Sequence, residues 1–440
     1  MTRTKLDLRN AQSWVVSAND PGRGFPLQNL PYCAFLSLDG TVQLGVGIGS
    51  SVLDLGGLSR AGYLDQLGDS VVKACQQPDL NGLMLCGPVV WSELRETLAS
   101  LLVSSVAPDL QASLSHHLLS MDGITFTTPV SISNYTDFYA SIEHATNVGR
   151  LFRPDQPLLP NYMYVPIGYH GRASSLVMSG EPIVRPHGQV KAPQDNIPSF
   201  RPSAQLDYEL EVAAYIGVGN PLGTPIPIGS AERHIFGYSL LNDWSARDIQ
   251  SWEYQPLGPF LGKNFGSSLS PWVVVNEAIA AFRVPRAKRP EGNPVPLPYL
   301  DDRGLDVASA IDMTLEVYLS TAQMRTSSMS PELVSTGNLR DLYWSFSQMI
   351  AHHTCNGCNL ASGDLLGSGT VSGATPGSEG SLLERTRRGQ NPLSLPSGES
   401  RGFLEDGDEV ILRGYCQGSG LPRISLGECR GMILPAKPYP

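Results

Sequence analysis

The chain has 440 residues, a net charge of −10 and 41% hydrophobic residues, enough length for two or three domains around a large core. The acidic balance excludes partners that need basic patches, such as nucleic acid or an anionic membrane, and no run of about 18 apolar residues is present to span a bilayer. The 45 Gly and 35 Pro are dispersed rather than periodic, so many turns joining short strands are expected, not a linker or a collagen-like tract. The opening MTRTKLDLRNAQSW has no apolar run of signal-peptide length. Residues 1–125 are expected to form a separate N-terminal unit and 126–440 the larger one. Within the first, Ala34 to Leu55 alternates in short apolar runs broken by Asp39-Gly40 and by Gly45, Gly47 and Gly49. That pattern predicts a small twisted antiparallel sheet or barrel. Ser92 is expected to cap a helix with Leu94, Leu98, Leu101 and Leu102 on one face. A boundary is placed near Ser120-Met121-Asp122-Gly123, followed by a strand from Ile124.

Beyond 125, strands dominate. Ile311 to Ser320 alternates apolar and polar residues as a half-buried strand does. Asn338 is expected to cap a helix through Leu342, Phe346, Met349 and Ile350. Glu409 to Leu412 and Gly431 to Leu434 read as late strands. Segments 285–300 and 386–402, rich in Pro, Gly, Ser and Arg, read as surface loops. No strand–helix–strand rhythm is present, which argues against a doubly wound sheet or an α/β barrel. Seven cysteines, an odd number spread along the chain, suit reduced thiols in the cytoplasm.

The densest chemical signal is Leu206 to Val212, LDYELEV. Period two puts Leu206, Tyr208, Leu210 and Val212 on one face of a strand and Asp207, Glu209 and Glu211 on the other, about 7 Å apart. Two readings stay open: a solvated acidic face, or oxygen ligation of a hard divalent cation by Glu209 and Glu211. Three further segments are rich in functional groups: NYTDFYASIEHATNVGRLFR from Asn134, NDWSARDIQSWEY from Asn242 with PLGPFLGKNFG after it, and SGTVSGATPGSEGSLLE from Ser368. Plain alternatives exist for each. Asp243 could close an Asx turn, His144 could be a buried hydrogen-bonded histidine, and the tyrosines could be core with satisfied hydroxyls. The stretch His352-His353-Thr-Cys355-Asn-Gly-Cys358 has metal-like letters but lacks a second ligand pair at zinc spacing.

Taken together, YTDFY, HATNVG, VPIGYHGRASS, LDYELEV, NDWSARDIQ with WEY, PLGPFLGK, HH followed by NGCNL, DLL with SGT and SG, FLEDGDEV and the N-terminal FPLQNLPY resemble the fumarylacetoacetate hydrolase family. The resemblance runs over nearly the whole chain. It implies a mostly β (α+β) fold, with a small SH3-like β-barrel N-terminal domain and a large mixed β-sandwich or β-roll domain, and a homodimer. It implies a Ca²⁺ or Mg²⁺ site at Asp137, Glu209, Glu211 and Asp243, with Lys263 and Ser267 beside it. Carboxylate ligands suit hard cations rather than zinc, and their surplus negative charge calls for Lys263 and Arg247 nearby. It implies His144 as the base that activates water, oriented by Glu384, and Arg247, Gln250 and Lys263 as donors to the oxyanion and leaving carbanion. Tyr139, Arg153, Tyr169, Tyr254 and Thr370 would place a small-molecule diketo acid, Arg153 facing a carboxylate. The implied reaction is hydrolysis of the carbon–carbon bond of 4-fumarylacetoacetate, which ends tyrosine and phenylalanine degradation. Two alternatives remain: a relative acting on another 1,3-diketone or acylpyruvate acid, and a silent binding protein that keeps the fold. Two departures from the family pattern are noted. Ser267 stands where Thr is frequent, and the 386–402 loop is longer and more basic.

Overall fold

The computed structural model describes residues 7–22, 24–303 and 308–440; residues 1–6, part of the opening stretch read above as lacking a signal segment, lie outside them. The expected N-terminal sheet is present as five strands in the order Leu118–Ser120, Ser51–Asp54, Val42–Ile48, Tyr32–Leu36 and Thr125–Thr127. The Asp39-Gly40 turn joins two of them, with Gly40 at φ +81°, a conformation that glycine adopts without strain. Thr125–Thr127, the strand expected from Ile124 on, pairs with Tyr32–Leu36 of this first sheet.

The helix expected at Ser92 begins a turn earlier, at Pro88, and runs to Leu102. Gly87 takes φ +85°, and proline at the first helical position gives up an N–H that would have no partner there. Ser92 is therefore interior to the helix, while Leu94, Leu98 and Leu102 face the core.

The remainder is built on two packed sheets. One has the order Gly168–Gly171, Tyr135–Phe138, Leu365–Gly367, Leu210–Ile216, Ile235–Asp243, Ser267–Leu269 and Leu176–Met178, with Val274–Val275 also paired to the long central strand. The other runs Glu332–Asn338, Thr314–Ser320, Glu409–Cys416, Ile424–Leu434 and Ile183–Val184. The result is a strand-rich α+β fold, as expected. The alternation read over Ile311 to Ser320 holds, with Leu315, Val317 and Leu319 buried. Gly414 and Gly431 lie where the sheets meet: a side chain on Gly414 would strike Leu240, and one on Gly431 would strike the Trp244 ring.

Three sequence expectations give way here. Asn338 caps only a short 3₁₀ turn, Leu339–Asp341. The following helix, Phe346–Thr354, starts at Ser345, whose capping box with Gln348 satisfies backbone N–H groups in both directions. The 386–402 segment carries a small hairpin of Leu393–Ser394 with Ser400–Arg401, and it is anchored rather than free. Arg401 is buried and binds Asp408 at 2.8 Å and 3.1 Å and Glu399 at 2.9 Å. Finally, no face of the LDYELEV stretch is solvated, because Asp207, Glu209 and Glu211 are as buried as the leucines beside them.

Packing at the sheet junction sets a stability test. Gly431→Ala forces a methyl group into the fully buried Trp244 ring and is expected to cost about 1–3 kcal/mol, the usual range for overpacking. Thermal or denaturant unfolding of the variant reads this directly.

Candidate active site and metal centre

The large sheet sets out the acidic residues in a row. Register places Asp137 opposite both Tyr169 and Gly367, Gly367 opposite Ala213, and Asp243 opposite Ser267. Glu211 precedes Ala213 by one pleat and so shares its face. Asp137 and Glu211 stand two strands apart, which is about 10 Å between backbones. They meet because the strand between them carries no side chain at that point. A Cβ on Gly367 would lie 2.6 Å from Asp137 Oδ1 and 3.1 Å from Glu211 Oε2. Glu209, in the break before Leu210, and Asp243, at the end of its strand, complete the group. One carboxylate oxygen from each of Asp137, Glu209, Glu211 and Asp243 lies within 4.8 Å of all the others.

Oxygens this close to one another can surround a single ion at ligand distances of about 2.0–2.6 Å, the range of magnesium and calcium. Asp137 Oδ1 and Glu211 Oε1 are buried with no hydrogen-bond partner, an expensive arrangement unless something electropositive is held there. All donors are hard oxygens, so the residues present fit a Ca²⁺ or Mg²⁺ ion and could hold one.

Charge is distributed unevenly within the cluster. Lys263 Nζ donates to Glu209 Oε2, and to Asp243 Oδ2 at 2.8 Å. Arg247 Nη1 donates to Glu209 Oε1 at 2.6 Å, and Arg247 Nε to Asp207 Oδ2 at 2.9 Å. Burial alone would raise Glu209, but Lys263 and Arg247 outweigh it and hold the carboxyl below its ordinary range. Asp137 and Glu211 touch neither cation, and burial followed by their acidic neighbours drives both well upward. They are the positions at which a divalent ion, if held, would take the place of protons. Tyr169 Oη and Ser267 Oγ donate to the two oxygens of Asp243 at 3.1 Å and 2.7 Å, so the role of an Asx turn is not needed to explain Asp243.

A cavity of about 570 Å³ opens beside the cluster. Asp137, Glu209, Arg247 and Lys263 form one side of it. His144, Tyr139, Arg153, Tyr169, Gln250, Tyr254 and Thr370 also line it, so every residue singled out for substrate or base chemistry meets there. Glu211, Asp243, Ser267 and Glu384 stand behind this wall; Asp243 and Ser267 border a smaller cavity of about 180 Å³ on the far side of Tyr169 and Lys263. His144 lies in helix Ile142–Phe152, capped by Ser141, and its Nδ1 is 2.6 Å from Glu384 Oε2. Burial would raise Glu384, yet His144 and hydrogen bonds from His144, Asn147 and Ser381 prevail, keeping its carboxyl low and ionised. A carboxylate accepts only, so Nδ1 carries a proton, and in the neutral ring Nε2 is the acceptor. On helix Arg247–Glu253, Arg247 and Gln250 share a face as their i, i+3 spacing requires, joined at 3.2 Å. Besides Asp137 Oδ1, the described residues lining this cavity include three polar atoms buried without partners: Arg247 Nη2, Arg153 Nε and Thr370 Oγ1.

Sequence reading passed over two kinds of residue. Asp207 was seen as an acid but given no task; it anchors Arg247 and accepts the Leu382 and Leu383 N–H groups at 2.8 Å and 2.9 Å, which ties the Glu384 turn to the acidic strand. The apolar walls Phe138, Val148, Phe152, Leu158, Tyr162 and Leu383 carry no signal in a single sequence. In the CxxC stretch, His353 Nε2 pairs with Thr136 Oγ1 at 2.9 Å and His352 Nδ1 with Tyr299 Oη at 3.0 Å, and both cysteines are free.

Comparison with known proteins is consistent over the whole length. Residues 28–129 match the model of the fumarylacetoacetase N-terminal family and residues 133–433 that of the fumarylacetoacetate (FAA) hydrolase C-terminal family. The fumarylacetoacetase of Dictyostelium discoideum is 47% identical over 421 residues, 94% of this chain and 96% of its own. The Homo sapiens fumarylacetoacetase is 45% identical over 416 residues, with the same coverage. Among solved structures, a fumarylacetoacetate hydrolase from Exiguobacterium antarcticum superposes with a TM-score of 0.50 at 17% identity, over 93% of this chain and 100% of its own, a likeness of fold.

Two measurements test the centre. Gly367→Ala places a methyl group against two of the four carboxylates, and is expected to weaken Ca²⁺ and Mg²⁺ binding in calorimetry while the protein still folds. Chelation of metal-loaded protein is expected to lower the unfolding midpoint, since an ion present at 100 times its Kd stabilises by about 2.7 kcal/mol. An unchanged midpoint would mean that the four acids hold no ion.

Proposed function

Since the chain belongs to the fumarylacetoacetate hydrolase family and is thus a hydrolase of carbon–carbon bonds, we propose that it cleaves 4-fumarylacetoacetate with water to fumarate and acetoacetate, the closing step of tyrosine and phenylalanine degradation. The observation that carries this reading is that His144, backed by Glu384, lines the same cavity as Asp137 and Glu209 of the acidic cluster. A base for water and a centre for chelating a diketone are thereby brought to the same substrate. Ca²⁺ or Mg²⁺ held by Asp137, Glu209, Glu211 and Asp243 would supply Lewis-acid polarisation of the two diketone oxygens.

The remaining work falls to side chains. Arg153 offers its unpartnered buried Nε to a substrate carboxylate, with Tyr139, Tyr169, Tyr254 and Thr370 fixing the diketo chain. His144 Nε2 takes a proton from water as the oxygen bonds to the carbonyl carbon. Lys263, Arg247 and Gln250 face the oxyanion that forms. Collapse of this adduct breaks the bond to the methylene, and the electron pair leaves as an enolate. The proton on His144 then returns to that carbon, giving acetoacetate. Glu384 stabilises the imidazolium between these transfers. Arg247 Nη2, buried and unpaired before substrate arrives, is aligned in advance for developing charge.

Trp252, Leu257, Phe260 and Leu261 stand exposed close to the cavity, an apolar surface that a second copy would cover, so the enzyme is taken to work as a homodimer. Free thiols at all seven cysteines suit a reducing cytoplasm, and no helix among the described residues is long and apolar enough to cross a membrane.

The test is product analysis with 4-fumarylacetoacetate, metal-loaded and after chelation. Equal amounts of fumarate and acetoacetate are expected, and only with metal. His144→Ala is expected to bind metal normally and to lose about 10²–10⁴-fold in kcat, the range that general-base catalysis supplies. Turnover of an acylpyruvate in place of this substrate would transfer the assignment to that class, and no turnover of either would leave a binding protein.

A further inference from the structure

We propose that Asn147 is a positioning residue that locks the plane of the Glu384 carboxylate and thereby the tautomer of His144; the inference rests on the reading of His144 as the base. Glu384 is gripped from several sides. Oε2 receives three donors: His144 Nδ1 at 2.6 Å, Ser381 Oγ at 2.8 Å and Ser372 Oγ at 3.0 Å. Oε1 receives Asn147 Nδ2 at 3.0 Å.

The distribution matters because the terminal torsion of a glutamate is broad and soft. Both oxygens lie off the Cγ–Cδ axis, so the donors on Oε2 resist rotation from one side. The donor on Oε1 opposes it from the other oxygen and holds the plane more tightly. Asn147 is three residues after His144 on helix Ile142–Phe152, so both side chains lie on one face. One helix therefore clasps both oxygens of the same carboxylate, and the distance between the two contacts is set by helical geometry.

The hydroxyls act on the other oxygen. Ser372 Oγ accepts the Gly380 N–H at 2.9 Å and donates its single proton to Oε2. Ser381 caps the turn Leu382–Arg385 and is tied to the Glu384 backbone. The orientation of the amide is supported from its other end, where Asn147 Oδ1 accepts from Arg150 Nη1 at 3.5 Å. With the plane fixed, an Oε2 lone pair faces Nδ1, the proton stays there, and Nε2 is held free toward the cavity.

The test uses full-length, metal-loaded protein labelled with ¹⁵N-histidine, with His144→Asn to assign the His144 signals. The native protein is expected to show a single Nδ1–H tautomer. Asn147→Ala and the near-isosteric Asn147→Asp, which both remove the donor, are expected to show a mixture of tautomers. In both, kcat should fall about 10- to 100-fold, the usual effect of losing an outer partner of a functional imidazole, with KM unchanged. The aspartate variant keeps the side-chain volume, so it decides the matter if the alanine variant does not fold. A single native tautomer with native kcat in either folded variant would overturn the role. A native protein that shows the expected tautomer yet never turns over the diketo acid would defeat the functional reading alone, since the tautomer comparison needs no substrate.

Discussion

Everything at the centre of this molecule depends on burying five carboxylates beside two cations. Asp137, Asp207, Glu209, Glu211 and Asp243 are all withdrawn from water, and Lys263 and Arg247 are buried with them. A buried charge without a partner is costly, so the local structure is arranged around pairing. Lys263 bridges two acids, Arg247 bridges two, and Asp207 uses its remaining capacity on backbone N–H groups. Asp137 and Glu211 are what remains once the cations are spent. The two acids flanking Gly367 are thus the ones left without a cation, and burial with their acidic neighbours drives both carboxyls well upward. A fold selected for stability alone would fill this region with apolar side chains; the charge persists where chemistry requires it.

The same economy links the two halves of the site. Arg247 balances the acidic cluster and lines the large cavity, and Asp207 holds Arg247 while capping the turn that carries Glu384. The acid that pairs with His144 is therefore attached to the stretch that supplies Glu209 and Glu211. A displacement of either half is transmitted to the other through one guanidinium and one carboxylate.

How much of this was legible in the sequence follows from how local each signal is. The alternation of LDYELEV gave the strand and its acidic face, and Ile311 to Ser320 gave another, because a period of two is written into neighbouring residues. Whether the acidic face met water was not legible, since that depends on segments as distant as Leu383, 176 residues from Asp207. Helix starts were misplaced at Ser92 and Asn338 for a different reason. Each residue is a good cap by type, but a stronger local device, Gly87-Pro88 in one case and the Ser345–Gln348 box in the other, stood nearby. The site residues were found through motif resemblance, and the structure brings them to one cavity and the wall behind it. Gly367, Asp207 and the apolar lining were missed because their importance lies in what they touch across the sheet, and no spacing in the chain records it.

The parallel pairing of Leu365–Gly367 with Tyr135–Phe138 has a consequence for how the protein comes into being. A ladder between segments so distant closes slowly, because a long loop must be ordered before any contact rewards it. During synthesis the first sheet, closed by Thr125–Thr127, can form early. Asp137 must then wait in an unfinished sheet until residue 367 has been made and docked between its neighbours. The complete set of ligands exists only after that event, late in assembly. A cation held by those four acids would therefore act on the rate of unfolding and hardly on the rate of folding. Its part would be to keep closed a structure that the chain had to close without it.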